Sequence, residues 1–161
     1  MKKTFWLLAC FGILSACSCH KKAVEPVFQN SFSCKVNGQL WEPVGPDGFF
    51  GADKTLGFFF SPNEVGLGIQ AKNRLKNQTM NITCFCKDTT GIYLMRSEQP
   101  FNDYNLSCSY LPDTSKGRVI VFTKLDKDKR ILKGTFEFIA LNTGNCKDTL
   151  KFTDGKFELN Y

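Results

Sequence analysis

From Ser31 onward the chain alternates apolar and polar side chains with a period of two, and Gly, Asn, Asp or Pro repeatedly interrupts the alternation. Residues two apart share one face of a β-strand, so this pattern buries one face of a strand and no continuous face of a helix. Phe32, Cys34 and Val36 fall on one side and Ser33 and Lys35 on the other. Asn37-Gly38 then supplies a two-residue turn into Gln39-Leu40-Trp41, which predicts a hairpin.

Residues 56–61, 66–71, 79–87, 91–95 and 105–110 read as further short strands, separated by turn-forming residues at 62–63, 73–77 and 88–90. Residues 118–125 are apolar on both faces, as expected of a central strand. Asp126-Lys127-Asp128-Lys129-Arg130 alternates in sign and reads as the hairpin tip leading into 133–141. There Phe136 and Phe138 share one face and Thr135 and Glu137 the other. The chain closes with 149–153 and 156–159, joined through Asp154-Gly155 as a second two-residue hairpin. About nine or ten strands at this spacing imply an all-β domain, an antiparallel β-sandwich or alternatively an antiparallel β-barrel.

Three segments also carry a resemblance. CKVNGQLWEP, GRVIVFTKLDKDKRILKGTFEFIALN and LKFTDGKFELNY resemble a family of small Bacteroidota lipoproteins of unknown function. Those proteins have an Asn-Gly…Trp hairpin near the start, then a Gly-Thr-Phe-x-Phe strand and an Asp-Gly-x-Phe hairpin at the end. The resemblance covers both ends of the domain but not 58–86, and it implies a location and a fold without transferring any catalytic residue.

The first residues fit that location. Lys2 and Lys3 precede an apolar run of ten residues, 5–14, and Ser15-Ala16 follow as small residues, the layout of a secretory signal. Ten residues are too few to span a bilayer as a helix. Leu14-Ser15-Ala16-Cys17 resembles the lipobox of bacterial lipoproteins, which makes Cys17 the expected lipidation site and new N-terminus. Cutting before Cys10 would leave too short an apolar run, and Cys19 follows no large aliphatic residue. Two or three acyl chains on one residue anchor a protein stably. The expected organisation is a signal peptide at 1–16, an anchor and tether at 17–30, and one β domain at 31–161. The basic Ser18-Cys19-His20-Lys21-Lys22 differs from the acidic start typical of surface-exported Bacteroidota lipoproteins, so the resemblance implies an outer-membrane, periplasm-facing protein.

Net charge is +6, or +4 once Lys2 and Lys3 are removed, and the lysines are scattered among aspartates. That is a solvated surface, not a nucleic-acid footprint. The single histidine, His20, lies in the tether, so a Ser/His/Asp centre lacks its base. Asp47, Asp53, Glu64 and Glu98 lie in predicted loops and are the candidate carboxylates of a hydrolase. No phosphate-binding Gly motif or other cofactor signature is present.

Strand parity puts Cys34, Cys84, Cys86 and Cys108 on apolar faces, as buried thiols or as disulfide partners that also include Cys146. The pairing stays open. Cys84-Phe85-Cys86 lacks the usual Cys-x₂₋₄-Cys spacing of a metal site, and none is expected. Phe58-Phe59-Phe60 must place at least one ring on each face of its strand. Trp41, Tyr93, Tyr104 and Tyr110 are candidates for a sugar-stacking platform, although Trp41 beside the core is expected to be buried. Asp88-Thr89-Thr90 and Asp148-Thr149-Leu150 resemble an O-glycosylation motif of Bacteroidota exported proteins, with Thr89 and Thr149 as acceptors. The sequence thus predicts a non-enzymatic membrane-anchored module that binds an envelope protein or a glycan. A hydrolase and a structural subunit of a surface assembly are the alternatives.

Overall fold

The computed structural model describes residues 28–47, 54–61, 66–96, 100–144, 146 and 148–161. Eleven strands form within them: β1 (Ser31–Val36), β2 (Gln39–Trp41), β3 (Leu56–Ser61), β4 (Gly66–Asn73), β5 (Gln78–Cys84), β6 (Gly91–Leu94), β7 (Phe101–Asp103), β8 (Cys108–Pro112), β9 (Arg118–Asp126), β10 (Ile131–Asn142) and β11 (Thr149–Asn160). No helix occurs among the described residues. All strand pairs are antiparallel, in one sheet ordered β2-β1-β11-β10-β8-β7-β5-β4-β3. β9 branches from β10 and carries β6. The sheet curls into a half-barrel, so the all-β expectation is met by a single curved sheet.

The predicted Asp154-Gly155 hairpin is not a turn. β11 runs straight through it, with Asp154 at φ 53° as one extra residue in the ladder. On the β10 side Thr153 and Asp154 oppose only Glu137, and on the β1 side Asp154 and Gly155 oppose only Cys34. Such a bulge shifts the period-2 phase by one residue. Leu150 and Phe152 therefore face the core before it and Phe157 and Leu159 after it, all four buried. Asp-Gly tolerates positive φ in a bulge as well as in a turn, and the shifted apolar phase was the distinguishing signal.

Two other boundaries move. The strand expected at 105–110 is instead a turn at 104–107 followed by β8, preceded by the short β7. Asp103 ends β7 because its Oδ1 accepts the N–H groups of Asn105 and Leu106 at 3.1 and 3.2 Å. β5 ends at Cys84, not at 87. The Asn37-Gly38 hairpin forms as expected with φ 49° and 83°, and the charged 127–130 segment is the β9–β10 turn.

Six aromatic rings close a circuit through the core. Phe138 stacks on Phe152 at 4.2 Å, and Phe152 reaches Phe101, Trp41, Phe32 and Phe136 in turn before Phe136 returns to Phe138. A second group joins Phe122 to Phe60, Tyr93 and Phe157. Burying each Phe contributes about 1.5–3 kcal/mol, so these circuits weld the walls of the half-barrel together.

Two glycines let the central pair close. β10 and β11 set Gly134 opposite Phe157 and Phe136 opposite Gly155. A Cβ on Gly155 would lie 2.5 Å from the Phe136 carbonyl oxygen and 2.6 Å from its ring, and one on Gly134 would lie 2.3 Å from the Phe157 ring. Each ring thus fills the space its partner glycine leaves, which gives the Gly-Thr-Phe and Asp-Gly-x-Phe segments a physical reason. Gly155→Ala should overpack this contact and lower stability by about 1–3 kcal/mol. Urea melts check it, and an unchanged midpoint would contradict the packing.

Candidate functional site

At one end of the half-barrel the β4–β5 and β7–β8 turns are bolted side by side. Tyr104 N–H donates to the Asn77 carbonyl at 3.0 Å, and the Asn105 side chain bridges Asn77 at 3.1 Å and the Lys76 carbonyl at 3.0 Å. Between these turns and β2 lies a cleft of about 290 Å³ bordered by Leu40, Trp41, Gln78, Asp103, Tyr110 and Asp148. Val36 and Gln39 flank the two-residue turn as the hydrogen-bonded pair of that hairpin, which leaves the main-chain N–H and C=O of Leu40, a residue of the cleft border, directed away from β1.

The cleft floor is a relay of fixed hydrogen bonds. Trp41 Nε1 donates to Gln78 Oε1 at 2.9 Å, and Gln78 Nε2 donates to Asp103 Oδ2 at 2.7 Å. The other oxygen of Asp103 is the one that holds the β7–β8 turn. On the far wall the Tyr110 hydroxyl donates to both carboxylate oxygens of Asp148 at 3.0 and 3.1 Å. Burial, reinforced by that carboxylate, pushes the Tyr110 hydroxyl up to about 12, so it stays protonated.

Asp148 is held over Tyr110 by a staple. Cys146 forms a disulfide with Cys108 of β8, with Cα atoms 5.9 Å apart, and Asn142 N–H donates to the Asp148 carbonyl at 3.3 Å. Cys34, Cys84 and Cys86 remain buried thiols. Burial pushes Cys34 and Cys84 up to about 12 and raises Cys86 as well, which keeps them protonated and inert at neutral pH. Among the described residues no three His, Cys, Asp or Glu side chains gather as a metal site.

The sequence-predicted site residues are dispersed. Cys10, Cys17, Cys19, Asp53, Glu64 and Glu98 lie outside the described residues. Asp47 is exposed and does not border the cleft, and its Oδ1 accepts the Thr55 N–H at 2.7 Å, which holds its carboxyl below the usual range. The four candidate stacking rings form no platform. Trp41 and Tyr110 are buried, Tyr93 packs on Phe122 at 4.7 Å, and Tyr104 is exposed on its turn. Thr89 is exposed in a turn and Thr149 is exposed at the start of β11. Phe58 and Phe60 pack against the core while Phe59 points outward, so the triplet has rings on both faces.

Gln78 and Asp103 were not legible as site residues. Asp148 stood out only beside Thr149. Their common signal is polarity at a strand end, which any turn shares. The chain matches no protein-family model, no curated protein and no solved structure.

The Cys108–Cys146 link closes a loop across a sequence separation of 38. Replacing both by Ser should cost about 2–4 kcal/mol, read as a lower thermal midpoint equal to that of the reduced wild type; an unchanged midpoint would deny the staple its role. The buried thiols make a second prediction. Cys34 and Cys84 ionise near their ordinary 9.0 when unfolded and near about 12 when folded, so the unfolded chain releases its protons first. Their contribution to stability is full below about pH 9 and is lost as pH rises toward 12. Urea midpoints measured across that window should fall, less steeply in Cys34→Ala.

Proposed function

We propose that this chain is an envelope lipoprotein, acylated at Cys17, held on the outer membrane facing the periplasm, whose β domain binds a glycan in the cleft without turning it over. The carrying observation is the set of prepositioned polar groups there, namely the Asp148 carboxylate and the Leu40 main chain beside exposed Leu40 and Leu106 side chains. Sugars need such a mixture, fixed acceptors and donors for hydroxyls next to apolar surface for their C–H faces. The tether supports the orientation. β1 starts beside Glu158, where Asn160 N–H donates to Asn30 Oδ1 at 2.7 Å, whereas the cleft lies at the opposite end of β1.

The same bonds argue against hydrolysis. Both Asp103 oxygens already accept hydrogen bonds from the protein, and Tyr110 holds its proton far above neutral pH. A general acid or base works best with a pKa near the operating pH.

Saturation-transfer NMR of the full chain in detergent, with muropeptides and lipopolysaccharide core oligosaccharides as probes, tests the cleft. Wild type should give transfer to one of these, and Asp148→Asn, which keeps an acceptor for Tyr110 but removes the charge, should weaken binding about tenfold. Absence of transfer, or equal binding by the variant, would sink the reading. Product release with loss on Asp148→Asn would replace it with a hydrolase. Radiolabelled palmitate should mark wild type and not Cys17→Ser.

A further inference from the structure

β3 ends the sheet, paired with β4 alone. Among the described residues nothing hydrogen-bonds to the main chain of Leu56 through Phe60 on its other side. Such an edge is a ready template for another strand, and proteins usually blunt it with charge, Pro or a bulge. β3 reads LGFFFS and has none of these within its length.

Its outward face carries Gly57 and Phe59. Phe59 is 49% exposed, its ring lies over Gly68 across the β3–β4 pair, and a Cβ at Gly57 would meet nothing within 4 Å. A ring therefore stands beside an open hollow on one free edge. The central sheet shows what that combination does. In β10 and β11 two Gly-x-Phe segments, Gly134-Thr135-Phe136 and Gly155-Lys156-Phe157, run antiparallel so that each Gly receives the other strand's Phe. β3 holds a third Gly-x-Phe, Gly57-Phe58-Phe59, and among the described residues no strand pairs with its other side.

We propose that the missing partner is β3 of a second copy of this chain. Antiparallel pairing about a two-fold axis through Phe58 sets Gly57 opposite Phe59 of the other copy and Phe59 opposite its Gly57, so one sequence satisfies both sides of the contact. Each Phe59 then lies between two glycines, Gly68 of its own β4 and Gly57 of the second copy. Charge favours this occupant and this site. The chain carries +6 overall, yet β3 has no acidic or basic side chain and the two strands behind it, β4 and β5, have only Lys72, at the far end of β4. Two copies meet there without apposing like charges, which elsewhere on the surface would oppose their approach. The pairing is isologous and uses the β3 edge of each copy, so this contact closes at a dimer.

Light scattering on the full chain in detergent micelles, with the detergent mass subtracted, tests the proposal at high micromolar concentration. Wild type should have twice the monomer mass, and Phe59→Lys, which brings charge to the neutral edge, should run as a folded monomer by circular dichroism. A monomeric wild type, or a dimer unaffected by Phe59→Lys, overturns it. Register is read separately, so that a misfolded Phe59→Lys leaves the question decidable. Mixed Gly57→Cys and Phe59→Cys copies should form a covalent heterodimer on oxidation, much faster than either variant with itself. No preference for the mixed pair overturns the two-fold register.

Discussion

The reciprocal contact between Gly134 and Phe157 and between Phe136 and Gly155 sets the geometry of everything around it. It fixes how closely β10 and β11 approach and which face of each strand meets the core. β10 then forks, pairing β9 from Ile131 to Phe138 and β8 from Ala140 to Asn142, so its register is imposed on both branches. β11 passes the same register to β1, and through the hairpin to Trp41. A slip of one residue in the central pair would turn its inward Phe side chains to solvent.

The cleft inherits its shape from these distant constraints. Trp41 is brought to Gln78 because β1 follows β11, and Asp148 is brought to Tyr110 because Cys146 is tied to β8. The walls are strand ends and turns, the places where a sheet has unpaired main chain to offer. The floor is rigid for the same reason the core is, since Trp41 and Phe101 belong to the aromatic circuit. Under the proposed reading, a glycan in the cleft would meet groups whose positions are fixed on folding, which would keep the ordering cost of binding low.

Much of this fold was legible from alternation alone. β1 through β4 and β9 and β10 lie within two residues of their expected bounds, because apolar alternation or an apolar run marks each and turn-forming residues bound it. β7 was not, since its three residues include buried Asn102 and Asp103, whose burial is repaid by hydrogen bonds from elsewhere in the chain. The bulge at Asp154 imitates a turn because both require a residue that accepts positive φ. The cleft was illegible because it unites residues from β2, β5, β7, β8 and the loop before β11, and no local pattern encodes that meeting. Burial of the cysteines could be read from parity, whereas the choice of Cys108 and Cys146 as partners depends on where the β10–β11 loop folds back.

The placement of the start of β1 and of the cleft at opposite ends of that strand also has a mechanical meaning. β1 begins at Ser31, paired with Glu158, and runs from there toward the cleft alongside β11. Tension applied between the cleft and the start of β1 would be directed along the strands, not across them. The ladder between β1 and β11 must then rupture many hydrogen bonds together, in shear, instead of opening one at a time like a zipper. A domain built this way can carry pulling force through the β1–β11 ladder.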